Sequence, residues 1–291
     1  MTMDIPPQLA PLASERALAD GTRIFLYDSG EAHKPALLLI HGLGDEADTW
    51  RGLIPALAAR YRVIAPDLPG FGRSAHTRRA HTLGYFARAM GGLLDALGVA
   101  RATVAGSSLG AGVAQRLALW QPGRVERLVL IGGALPVGGG KTAVKTLLYL
   151  VPGVGELMYV RNRRSQDVAA AGLRPYYASF DALPNDDQSF LRQRVWARVW
   201  SAPQRRAFLS TVRWLAIDRS LRADSFRTRL TKLAVPTLLL WGEHDRIQSL
   251  ERGSEMAALL PNARLEIIPG AGHLPQQEQP EAVARAMLAE D

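Results

Sequence analysis

The chain has 291 residues, no cysteine, 47% hydrophobic and 21% charged residues, and a formal net charge of +8. That length suits one large domain, or a domain with a sizeable insertion, and the composition is that of a soluble globular protein. The missing cysteines exclude disulfides, thiolate metal sites and a cysteine nucleophile.

The N-terminus, "MTMDIPPQLAPLASERALADGTR", has an early aspartate and paired prolines instead of an apolar run, so no signal peptide is expected. Runs such as "PALLLI" and "VPTLLLW" are too short to span a bilayer, and a cytoplasmic location is the default expectation. In chain order, residues Glu15–Ala19 and Arg23–Tyr27 are predicted to form an antiparallel hairpin at a sheet edge, with Asp20-Gly21 as its turn. The segments 36–42, 62–68, 102–107, 127–133 and 236–242 are almost continuously apolar, as strands covered on both faces are. A further strand, 263–270, alternates in part. Helices are expected at Trp50–Arg60, Thr82–Leu97, Leu109–Trp120, Leu250–Leu260 and Pro280–Glu290. This alternation predicts an α/β fold with a mostly parallel sheet flanked by helices.

The alternation breaks between Ala134 and Thr228, where the sequence reads helical and arginine-rich. An insertion there would lie at the C-terminal edge of a parallel sheet, where ligands bind. The expected organisation is a core of residues 1–133 and 229–291 with a helical cap, or lid, at 134–228. Between Ala134 and Arg229 there are 16 Lys or Arg against 7 Asp or Glu, and the rest of the chain is almost neutral. Two readings of that charge stay open. It is either the solvated faces of cap helices, or a patch that favours anionic substrates or peripheral contact with an anionic lipid surface. The absence of a recognition motif argues against nucleic acid.

The stretch "VAGSSLGAG" follows a strand and opens a helix, and Gly106, Ser108 and Gly110 match G-x-S-x-G. A nucleophile on so sharp a turn needs small residues two positions to either side. Ser108 has them, whereas Ser107 would have Leu109. A base and a carboxylate follow in the order Ser, Asp, His. Asp245 lies in the loop after the strand ending at Gly242, and His273 in a glycine-flanked loop after the last strand. His273 would take the Ser108 proton and Asp245 would orient the imidazole. Glu243 is a rival carboxylate with less room to turn. The backbone N–H groups of Leu43 and Leu109 are candidate oxyanion donors, and His41 is read as structural.

The motifs "HGLGDEADTW", "APDLPGFGRS", "GSSLG", "WGEHD" and "GAGH" together resemble the α/β-hydrolase superfamily over nearly the full length. The resemblance implies the α/β-hydrolase fold, a Ser108–His273–Asp245 triad, a lid between two core strands, and scaffold roles for Asp67 and Arg73. It implies no metal or organic cofactor. The branch suggested is a monoacylglycerol-lipase-like carboxylesterase acting on a small-molecule ester. Hydrolases that cleave carbon–carbon bonds in ring-fission products are similar, but tend to have tryptophan straight after the histidine, where this chain has Leu274. A ligand-binding receptor of the same fold is a third reading.

Overall fold

Strands that are apolar at every position need cover on both faces, and the sheet provides it. The computed structural model describes residues 4–133 and 147–289. Among them eight strands form one sheet: β1 (Ala13–Ala17), β2 (Arg23–Asp28), β3 (Ala36–Ile40), β4 (Arg62–Pro66), β5 (Ala102–Ser107), β6 (Val125–Ile131), β7 (Thr237–Gly242) and β8 (Ala263–Ile268). Their order is β1-β2-β4-β3-β5-β6-β7-β8. The pairings of β1 with β2 and of β2 with β4 are antiparallel; all others are parallel. Alternate residues feed opposite cores. Leu38, Ile40, Val104 and Leu130 face one, and Leu37, Leu39, Ala105 and Val129 face the other.

The described helices, in chain order, are α1 (Ile54–Ala58), α2 (Leu83–Ala96), α3 (Leu109–Trp120), α4 (Val154–Arg161), α5 (Gln166–Ala171), α6 (Asn185–Trp200), α7 (Ala202–Leu230), α8 (Leu250–Leu259), α9 (Pro275–Glu278) and α10 (Pro280–Leu288). α2 and α3 cover the first face through Phe86, Leu93, Val113 and Leu117, and α1 and α10 cover the second through Ile54, Leu57, Val283 and Met287. None of the described helices is long and apolar enough to cross a membrane.

Three elements differ from expectation. The hairpin strands close through a five-residue turn rather than two residues, with Leu18 N–H donating to Thr22 and Gly21 N–H to Leu18. The helix expected at Trp50–Arg60 is instead a 3₁₀ turn, Ala47–Trp50, and a short α1. Its start is set from afar: the Ala47 N–H donates to Asp67 Oδ1 at 2.6 Å. Strand β3 ends at Ile40, which frees His41 and Gly42 for the loop.

Between β6 and β7 the described residues form α4 to α7 and short 3₁₀ turns, with no strand. The "ALPVGGGK" opening of this segment and the first part of its apolar run lie outside the described residues. α7 continues to Leu230, beyond the expected boundary at 228, because Phe226 and Leu230 pack into the core.

Candidate active site

The turn after β5 is built from glycine. Ser108 has φ 53° and ψ −111°, and it is the one non-glycine residue with positive φ among the described residues. Such a conformation costs on the order of 1–3 kcal/mol and persists only where its surroundings fix it. Here the Ser108 N–H donates to Ile131 O at 2.8 Å. A Cβ on Gly106 would lie 2.2 Å from Gly110 O, one on Gly110 2.1 Å from Ile40 O, and one on Gly133 2.5 Å from Ser108 O. Glycine at all three positions lets β5, α3 and the end of β6 close on the serine.

The three residues expected to meet do so. His273 Nε2 lies 3.0 Å from Ser108 Oγ, and His273 Nδ1 lies 2.8 Å from Asp245 Oδ2. The side chains of His273 and Asp245 are buried. Asp245 Oδ1 accepts the N–H groups of Ile247 and Gln248, both at 2.8 Å, so the loop fixes the carboxylate and leaves Oδ2 for the imidazole. Close approach again demands glycine, since a Cβ on Gly242 would lie 1.9 Å from Gly272 O. The rival Glu243 accepts the Gly270 N–H at 3.0 Å and lies half in solvent, away from the histidine pair. Ser107 is fully buried, and its Oγ accepts from Gln276 Nε2 at 3.1 Å.

The loop after β3 brings backbone donors to the serine. His41 accepts the Leu68 N–H on Nε2 at 2.8 Å, so its Nδ1 carries the proton and donates to Gly42 O at 2.8 Å. Burial lowers the His41 pKa, which suits that neutral ring. In a trans peptide the N–H opposes the C=O. With Gly42 O drawn to the ring, the Leu43 N–H points the other way. A Cβ on Gly42 would lie 3.5 Å from Ser108 Cβ, which places this peptide beside the serine. Leu109 begins α3, so its N–H has no intrahelical acceptor.

Two supports were not legible as site residues in the sequence. Glu278 accepts the Gly272 N–H at 2.6 Å and the Ala178 N–H at 2.7 Å, joining the His273 loop to the helical segment. Burial raises its pKa against the pull of those donors. The His273 N–H donates to Tyr176 O at 2.8 Å, and the two rings lie 5.7 Å apart. On the other side of the site a buried ionic network holds the loop after β3. From α6, Arg194 and Arg198 reach Glu46 at 2.7 and 2.6 Å, Arg194 also reaches Asp48 at 2.7 Å, and Arg198 reaches Asp45 at 2.8 Å. Arg73 binds Asp48 and Asp67. Burial works to raise the Glu46 pKa, but Arg198 and Arg194 outweigh it and hold the group at about 2. Burial pushes Asp67 up to about 7 against the pull of Arg73. Among the described residues no cluster of acidic or histidine side chains could hold a metal ion.

A family model described as alpha/beta hydrolase fold matches residues 35–280. A 2-hydroxy-6-oxo-6-phenylhexa-2,4-dienoate hydrolase of Burkholderia cepacia is 32% identical, covering 91% of this chain and 90% of its own. A 2-hydroxymuconate semialdehyde hydrolase of Pseudomonas putida is also 32% identical, over 96% and 94%. Among solved structures, a thermophilic esterase from Thermogutta terrifontis is 27% identical, covering 94% of this chain and 96% of its own, with a TM-score of 0.76.

Proposed function

The chain belongs to the alpha/beta hydrolase family, and on that footing we propose that it is a serine hydrolase cleaving the bond next to a carbonyl carbon through Ser108, His273 and Asp245. Ser108 Oγ attacks the carbonyl, His273 Nε2 takes the hydroxyl proton, and Asp245 holds the Nδ1–H of the imidazolium that forms. The N–H groups of Leu43 and Leu109 bind the oxyanion of the tetrahedral intermediate. His273 then gives its proton to the leaving group. Water, deprotonated by the same histidine, releases the acid from Ser108.

The bond we favour is carbon–carbon. One observation carries this: relatives covering nine-tenths or more of both chains are named as hydrolases of 2-hydroxy-6-oxodienoates and a muconate semialdehyde. In such a substrate attack falls on the 6-oxo carbon. For this the 2-hydroxydiene first shifts to its 2-oxo-3-ene tautomer, the hydroxyl proton moving to carbon 5. The bond between carbons 5 and 6 then breaks, its electrons pass into the conjugated 2-oxo group, and the dienolate so formed takes its proton from His273. The sequence leaned instead to esters, because Leu274 follows the histidine.

Ester cleavage stays as the second reading, favoured by Leu274 and by a specific feature of the site. A dienoate is an anion, yet the buried cations Arg194 and Arg198 are already taken up by Asp45, Glu46 and Asp48. The two readings separate in one comparison: 2-hydroxy-6-oxo-6-phenylhexa-2,4-dienoate, followed by loss of its dienolate absorbance, beside p-nitrophenyl butyrate. The first reading expects kcat/KM at least about a hundredfold higher for the dienoate, roughly 3 kcal/mol in transition-state stabilisation. The reverse ranking replaces it with ester hydrolysis. Turnover of neither, with no labelling of Ser108 by a fluorophosphonate, makes the chain a ligand-binding member of the family.

A further inference from the structure

Ion pairing decides where the helical segment's positive charge is left. Arg174 is paired with Asp181, Arg192 with Asp167, Arg213 with Glu156 and Arg222 with Asp218. Arg194 and Arg198 are buried on core carboxylates. Among the described residues the side chains of Arg161, Arg164, Arg205 and Arg206 have no hydrogen-bond or ion-pair partner, and neither do those of Arg227 and Arg229 at the far end of α7. Arg161 ends α4 and Arg164 lies in the turn after it. Arg205 and Arg206 lie on α7, which is bound to α4 by Arg213 on Glu156 at 3.0 and 3.1 Å. Together Arg205, Arg206, Arg213, Glu156, Ser210 and Trp214 line a cavity of about 360 Å³. Three guanidiniums against one carboxylate leave it two charges positive.

Residues leading into α4 and on it carry a second observation. Leu147, Leu148, Val151, Val154 and Leu157 are all exposed, Leu157 to 71%. Isolated exposed apolar residues are ordinary, but five aliphatic ones within eleven positions form a strip. On α4 the spacing of Val154, Leu157 and Arg161 places them on one face, while Gly155 and Tyr159 face inward and are buried.

We infer that this face docks the protein on an anionic phospholipid membrane. The aliphatic strip enters the acyl boundary, and the unpaired arginines, with those of the cavity, take headgroup phosphates. The occupant fits the chemistry of the face: exposed aliphatic side chains beside arginines match the way proteins lie on anionic membranes, apolar groups in the acyl boundary and cations at the headgroups. The strip also adjoins the site. Tyr149, among these residues, meets Phe208 edge to face with ring centroids 5.7 Å apart, and the Phe208 ring lies 3.2 Å from where a Cβ on Gly44 would stand, next to Leu43. Docking does not rest on which bond is cleaved.

The test is sedimentation of the intact protein with phosphatidylcholine vesicles and with vesicles containing equal phosphatidylglycerol. The protein should pellet with the anionic vesicles alone and be released as salt rises to about 0.5 M, where screening is strong. Leu157→Asp and the double variant Arg205→Glu/Arg206→Glu should each weaken vesicle binding about tenfold or more while turnover of a water-soluble substrate is unchanged. Leu157→Ser serves if the aspartate variant misfolds. Millimolar glycerol phosphate should not release the protein, because the strip contributes as well as the phosphate. Equal sedimentation with both vesicles, variants that bind like wild type, or release by glycerol phosphate alone would each overturn the inference. So would a dimer in analytical ultracentrifugation that Leu157→Asp dissolves, which would give the strip to a second copy of the chain.

Discussion

At the scale of single residues, two adjacent serines have opposite surroundings. Ser108 meets His273 Nε2, whereas Ser107 points into the protein and is bound by Gln276. Ser108→Ala should lower the rate by at least about a thousandfold, because members of a catalytic unit fail together. Ser107→Ala should cost about 1 kcal/mol of stability, the worth of a lost buried hydrogen bond, and leave turnover within a few-fold. Comparable losses of rate in both variants would reverse the assignment. The choice of Ser108 was legible because the glycines that permit the turn are local. The partner of Ser107 lies 169 residues away, and nothing in the spacing announces it.

His81 offers a pH test at the same scale. Burial lowers its pKa to about 4, and Nδ1 has no hydrogen-bond partner among the described residues. An unfolded histidine takes up its proton near pH ~6.5. Between those values the unfolded chain binds more protons, so the stability due to neutral His81 is complete above about pH 6.5 and is lost as the pH falls towards 4. The shift is worth up to about 3 kcal/mol. Urea midpoints at pH 7 and 4.5 should therefore diverge more in wild type than in His81→Gln. Glu46 and Asp67 titrate in both proteins and cancel. An equal loss in the two would show that His81 does not carry the effect.

Among the elements, α6 matters most to the site, because its arginines hold the loop that carries Leu43. Arg198→Met would leave Glu46, a carboxylate with no exposure, to Arg194 alone and Asp45 without its partner. Removing one partner of a buried pair costs about 3–5 kcal/mol. Arg161→Met removes an exposed, unpaired arginine and should stay within about 0.5 kcal/mol. Equal melting temperatures for the two variants would contradict the network. The strands were legible to within a few residues because burial on both faces writes itself as continuous apolar sequence. The start of the 3₁₀ turn at Ala47 was not, because it is set by an Asp67 oxygen that follows β4. The role of Glu278 was hidden likewise, since its two acceptors meet backbone from different elements.

For the whole molecule, counting charges along the chain misleads in an instructive way. The excess between Ala134 and Arg229 reads as a one-sign surface, yet Arg194 and Arg198 are buried and spent on acidic residues of the core. A count by segment cannot show pairing between segments. That pairing makes the helical segment and the core mechanically one. The segment grips the site from both sides: α6 holds Asp45, Glu46 and Asp48, and Tyr176 and Ala178 hold the loop of Glu278 and His273. Arg51 adds a tie to Asp187 at 2.6 Å. Separate unfolding of the helices would strand buried charges at one end and free the His273 loop at the other. The chain should therefore unfold in urea in a single transition, with far-UV circular dichroism and tryptophan emission coincident. Trp196, Trp200 and Trp214 report the helical segment, and Trp50 and Trp241 the core. Arg198→Met/Glu278→Gln, which loosens both grips, should pull the two signals apart, with emission changing at lower urea than the sheet. Two transitions in the wild type would mean that the helices fold independently, and the buried pairs would then be a consequence of docking rather than the bond that couples it to the sheet.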